Sequence, residues 1–137
     1  MMKIINLFRI AGLLLIAAQT LSAQRIAIPE MPIKEGGYVE YDLGDFLKGK
    51  KKQLILRIKN EGYKDLEIKN IELSCDCISY KKKLKKIGPG AVTTLKITHD
   101  AKHSGDFSVF AKLSSNAENY PELWIKLSGN VMWKTRD

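Results

Sequence analysis

An all-β fold is what this 137-residue sequence predicts: an antiparallel sandwich of about seven short strands behind a cleavable signal helix. Three observations carry that prediction. Apolar and polar side chains alternate with a period of two through most of the chain beyond residue 38. Clusters of Gly, Pro, Asn, Asp and Ser interrupt the alternation at strand-length intervals. After the leader, no segment of helical length carries a stripe with the 3.6-residue period.

The first residues read as processing information. Lys3 and Arg9 form a positive start, Ile10 to Ala18 is an apolar run, and Leu21-Ser22-Ala23 offers a cleavage site. The run is short for a bilayer span, which favours a removable signal over residues 1–23 against the rival reading of an uncleaved anchor. Nothing later is apolar enough to cross a membrane, and no cysteine follows the cut to take a lipid. The mature chain, 24–137, suits a single core and a periplasmic or secreted address. Loss of Lys3 and Arg9 lowers the formal charge from +8 to +6. That balance permits weak attraction to an anionic surface and does not imply nucleic acid.

Residues 24–37, with Pro29, Pro32, Gly36 and Gly37, read as an extended arm. The sandwich follows over 38–131, with a short tail at 132–137. Val39, Tyr41 and Leu43 form the first inward row. Leu54, Leu56 and Ile58 form the next, with Ile55 breaking the pattern. Leu95, Ile97 and His99 share one parity, as do Phe107, Val109, Ala111 and Leu113. Leu123, Ile125 and Leu127 close the set, with Trp124 and Lys126 outside. Between these rows the parity changes once inside a strand. Leu66 and Ile68 are even, whereas Ile71, Leu73, Cys75 and Cys77 are odd. For both sets to face the core, the strand slips by one residue near Lys69-Asn70, through a β-bulge or a change of sheet.

Several of these segments together resemble a bacterial family catalogued as domain of unknown function 1573. They are Tyr41-Asp42-Leu43-Gly44, Ile58-Lys59-Asn60-Glu61-Gly62, Ile71 through Cys77, Ile87-Gly88-Pro89-Gly90, Ser104-Gly105-Asp106-Phe107, Ser115-Asn116 and Leu127 through Val131. The resemblance covers about residues 38–131. It implies an exported, Hydin-type immunoglobulin-like domain and supplies no reaction. Asp76 and His103 depart from the family's pattern, at positions where a glycine and an arginine are expected.

Cys75 and Cys77 are the only cysteines. On a strand, residues i and i+2 lie about 6.5 Å apart at Cα, so a bond between them needs local distortion. Three readings stay open. The pair is buried apolar filling or a local disulfide, or a soft-metal site suited to Cu(I), or a thiol-exchange pair. His99 and His103, the two histidines, are the candidate co-ligands for a metal. A second feature is basic: Lys81, Lys82, Lys83, Lys85 and Lys86 surround Leu84, and Lys50, Lys51 and Lys52 form another cluster. These read as edge-protecting or solvated lysines, or as a contact surface for an envelope protein or an anionic surface. Arg is scarce and no aromatic is interleaved, which disfavours nucleic acid. No phosphate loop, His-Glu-x-x-His or serine elbow occurs, so the expectation is a non-enzymatic binding or accessory domain without a cofactor. The alternative is a Cu(I)-binding or thiol-redox protein built on Cys75 and Cys77.

Overall fold

The computed structural model describes residues 23–81 and 86–134. The leader therefore lies, Ala23 apart, outside the described residues, as do Lys82, Lys83 and Lys85. The described residues form β1 (Ile26–Ala27), β2 (Tyr38–Leu47), β3 (Lys52–Asn60), β4 (Ile68–Leu73), β5 (Ile78–Tyr80), β6 (Val92–His99), β7 (Gly105–Ser115) and β8 (Glu122–Met132). They assemble as two four-stranded sheets, β1-β3-β6-β5 and β2-β8-β7-β4. We call these the β1 sheet and the β2 sheet.

The period-two rows meet between the sheets. Leu56, Ile58, Leu95 and Ile97 from one side, and Val39, Ala111, Leu113, Leu123, Ile125 and Leu127 from the other, are buried in one apolar cluster. Each such Leu or Ile contributes about 1.5–3 kcal/mol on leaving water. Ile55, the exception in its row, points out and is 56% exposed. The parity slip is a bulge: β4 pairs with β7 in a register that shifts between Ile68 and Asn70. It turns Ile71 and Leu73 inward along with Ile68.

All neighbouring strands are antiparallel except β2 and β8, which run parallel. The cause lies in the arm. β1 pairs with the end of β3 at only two positions, Ile26↔Asn60 and Ala27↔Lys59. Pro29 follows, with no N–H to donate and a fixed φ, so the ladder cannot continue. The chain leaves the β1 sheet there. Met31 and Ile33 lean on the core, and the chain enters the other sheet as β2 beside β8. The arm thus supplies a strand to each sheet, directly through β1 and by delivery of β2.

Three asparagines fasten the end where the arm begins. Asn60 is fully buried; its Nδ2 donates to the carbonyls of Lys64 (2.7 Å) and Ile87 (2.8 Å), and its Oδ1 accepts the Gly62 N–H at 2.9 Å. Asn116 Oδ1 accepts the Glu67 N–H at 2.8 Å. Asn119 pairs with both backbone groups of Ile26, accepting its N–H at 3.0 Å and donating to its carbonyl at 2.9 Å. That amide acts as a strand substitute and closes the outer edge of β1. Gly62 is required because a Cβ there would lie 2.8 Å from the Ala23 carbonyl carbon, beneath the start of the arm.

Candidate functional site

β4 ends in the β2 sheet at Leu73 and β5 begins in the β1 sheet at Ile78. Only Ser74 to Cys77 spans the crossing. The sequence pattern places both cysteines on a continuing strand; the structure corrects this, putting them in the turn between strands, because a chain changing sheets must bend. Cys75 and Cys77 are joined in a disulfide, with Cα atoms 5.3 Å apart. Both are half-buried against the main core. Ser74 anchors one side of the turn: its Oγ accepts the Phe110 N–H at 2.9 Å and its N–H donates to the Phe110 carbonyl at 3.0 Å. The Cys77 carbonyl anchors the other, accepting the Asp100 N–H at 2.9 Å.

His99 ends β6 at this same end of the sandwich, facing Ile78 on one side and Lys52 on the other. It is buried and stacks on Phe107 at 4.2 Å between ring centroids, with Phe46 edge-on at 5.5 Å. Its Nδ1 accepts the Ala101 N–H at 3.0 Å. Burial pushes the imidazole below its ordinary pKa, partly opposed by the Asp100 carboxylate. Nδ1 is therefore engaged as an acceptor inside an aromatic cage. His103 is exposed on the following loop. Among the described residues, no three His, Cys, Asp or Glu side chains converge as metal ligands, so Cys75, Cys77, His99 and His103 are not gathered into one ligand set there.

Of the lysine run, Lys81 and Lys86 are among the described residues, and they stand at different places along the sandwich. β5 sets out from the disulfide end, and Lys81 donates its N–H to the Lys96 carbonyl, part-way along β6. Lys86 is exposed beside Ile87, whose bridge partner Leu66 lies at the asparagine-fastened end. Lys50 and Lys51 sit on the β2–β3 turn at the disulfide end.

The two sheets differ in charge. The strands of the β1 sheet contain no Asp or Glu, but carry Lys52, Arg57, Lys59 and Lys96. Those of the β2 sheet carry Glu40, Asp42, Asp45, Glu72, Asp106 and Glu122. On the β2 sheet most cations have partners: Lys34 with Glu40 and Lys112 with Glu72, both at 3.0 Å, and Lys126 with Glu40 at 4.0 Å, while Lys69 has none within 4 Å among the described residues. Its outer aromatic Trp124 meets Phe110 edge-on at 4.8 Å, in the middle of the sheet. On the β1 sheet the ion pairs of the described residues are Arg57 with Glu30, reached from the arm, and Arg25 with Glu61 at 3.7 Å, just beyond the ends of β1 and β3. From Phe46 to Asn60 there are six cationic side chains and no carboxylate. The outward residues Gln53, Ile55 and Arg57 of β3 escaped the sequence reading as a group. Pro29 was the available signal, because it dictates how little of β3 the arm can cover.

Two packed four-stranded sheets, with an arm that serves both and a turn after β4 that crosses between them, define an immunoglobulin-like sandwich. The chain belongs to the family of proteins of unknown function DUF1573, whose match spans residues 35–131. Among solved structures, it is similar to a protein of unknown function from Porphyromonas gingivalis W83, with a TM-score of 0.66, 18% identity and 83% of this chain covered. This chain spans about half, 51%, of that one. It is also similar to the ASH/PapD-like domain 7 of human CEP192, with a TM-score of 0.65 and 12% identity, covering 86% of this chain and 93% of that domain. The VesB protease of Vibrio cholerae contains a similar region, with a TM-score of 0.57 and 12% identity, covering 80% of this chain and 32% of that one. At these identities the likeness is one of fold. No curated protein matches the chain.

Proposed function

We propose that this protein is an exported, non-enzymatic binding or accessory domain, and that the β1 sheet with its lysine-bearing borders is its recognition side. The observation that carries this reading is the segregation of charge. On the β2 sheet Lys34, Lys112 and Lys126 have carboxylate partners, whereas Lys59, Lys81 and Lys96 have none within 4 Å among the described residues. A one-signed, unneutralised surface steers an oppositely charged partner and selects against like-charged ones. The export reading is supported by the leader pattern of residues 1–23 and by a disulfide, a bond that persists in oxidising compartments. The test is capture from envelope extract by the mature domain and by a variant with Lys50, Lys51, Lys52, Lys81, Lys86 and Lys96 changed to Gln. The reading expects a partner held by the first and lost by the second. Equal recovery of the same partner by both refutes it. A Cu(I) or thiol-exchange role would first require the Cys75–Cys77 bond to open.

A further inference from the structure

The row of the β1 sheet that begins with β1 is left unfinished. β1 occupies it opposite Lys59 and Asn60 only, and Pro29 then carries the arm away. Opposite Lys52 to Ile58 the row holds no strand among the described residues. Seven residues of β3, roughly 23 Å of strand, thus form an edge with a neighbour on one side only.

The ladder fixes which backbone groups face that gap. Asn60 donates its N–H to the Ala91 carbonyl and accepts the Gly90 N–H, so its backbone points toward the β6 side. Glu61 donates to the Arg25 carbonyl, on the opposite side. Orientation alternates along an antiparallel strand, and β3 keeps an unbroken register with β6 from Lys52 to Lys59. Leu54, Leu56 and Ile58 therefore bond inward to β6. Gln53, Ile55 and Arg57 present their N–H and C=O groups to the gap. Natural edges of this length are blunted by a bulge, a proline, an inward charge or flanking cations; between Lys52 and Ile58 β3 has only the last, in Lys52 and Arg57, which repel a basic or like strand and leave the edge open to an acidic one. The other end of the row is closed, because Asn119 occupies the outer side of Ile26.

The chemistry of an occupant follows from the side chains beside the gap. Lys50, Lys51 and Lys52 stand at one end, and Arg57 and Lys59 at the other, with no carboxylate on β3. A second copy pairing edge to edge would bring these cations together. Where the molecule does place a group against this edge, it places a carboxylate: Glu30 contacts Arg57, whose guanidinium holds the Glu30 carboxyl below the usual range. Ile55, 56% exposed on the outer face, is an apolar contact for an alternating strand.

From this geometry we infer that the open edge of β3 takes up an extended acidic segment of a partner polypeptide as an added strand, antiparallel to β3 and in line with β1. The inference deepens the recognition reading above by naming the contact and the partner's chemistry.

The probe is a ten-residue peptide alternating Glu with Val, titrated into the ¹⁵N-labelled mature domain, with a Lys-for-Glu peptide as the opposite charge. The expected result is saturable shifts at the amides of Gln53, Ile55 and Arg57 with the Glu peptide and none with the Lys peptide. Ile55→Pro removes one outward N–H without touching the bonds to β6, and weakens binding about tenfold at unchanged unfolding temperature. Arg57→Glu, an exposed substitution, weakens it likewise and serves if the proline variant does not fold. Equal binding of both peptides, undiminished binding by Arg57→Glu, or shifts confined to Lys81 and Lys96 overturns the inference. The last result leaves the charged-sheet reading standing, whereas that reading falls only by its own lysine-neutralising experiment.

Discussion

Replacing Asn60 by Ala removes a side chain that is fully buried and makes three hydrogen bonds, to the Lys64 and Ile87 carbonyls and from the Gly62 N–H. The Ile87 carbonyl keeps a second donor, the Leu66 N–H, so it is not orphaned. The bonds at Lys64 and Gly62 are part-buried, and water reaches those groups in the variant. At about 1 kcal/mol net per bond, the loss is about 3 kcal/mol, a large share of the 5–15 kcal/mol that holds a domain together. Asn60→Asp separates hydrogen bonding from packing. It keeps the acceptor for Gly62 but turns a carboxylate oxygen toward two carbonyls, so it destabilises at least as much as Ala despite equal volume. The assay is urea unfolding with the disulfide intact. The midpoint falls in both variants while the denaturant slope stays constant. A loss below about 0.5 kcal/mol in either variant, the range of an ordinary surface change, refutes the role assigned to Asn60.

Other expectations follow from the same structure. Burial lowers the pKa of His99, so below about pH 6.5 the unfolded chain binds a proton that the folded one resists, and stability falls as the solution is acidified until His99 itself protonates. Unfolding midpoints that do not change from pH 7.5 to 5.5 contradict this. The Cys75–Cys77 ring is so small that its removal in the double Ser variant costs no more than about 1.5 kcal/mol, measured by the same unfolding assay; outright loss of folding would show that the turn depends on the bond. Tyr41 has a buried hydroxyl without a hydrogen-bond partner among the described residues, and burial pushes its pKa to about 12. Tyr41→Phe should therefore leave stability unchanged or raise it, and a calorimetric loss of several degrees would reveal a partner for that hydroxyl.

Much of the sandwich was legible because one sheet face meets a core and the other meets solvent. That condition writes the inward rows, the outward Ile55 and the slip at Lys69-Asn70 directly into the order of residues. The inward place of His99 was legible for the same reason. What depends on which strands become neighbours was not. Nothing local in Tyr38–Leu47 announces a parallel partner in Glu122–Met132, and a two-residue strand at Ile26–Ala27 is too short to leave a period. Cys75 and Cys77 continued the parity of Leu73 in sequence while the chain was already crossing between sheets. The charge segregation was present in the sequence but visible only once β1, β3, β5 and β6 were grouped together.

Site-resolved amide hydrogen exchange along β3 in the isolated mature domain tests the unfinished row most directly. Slow exchange at Leu54, Leu56 and Ile58, alternating with fast exchange at Gln53, Ile55 and Arg57, is the predicted result. Uniform protection across all six amides would mean that a strand already lies there, and would contradict the account.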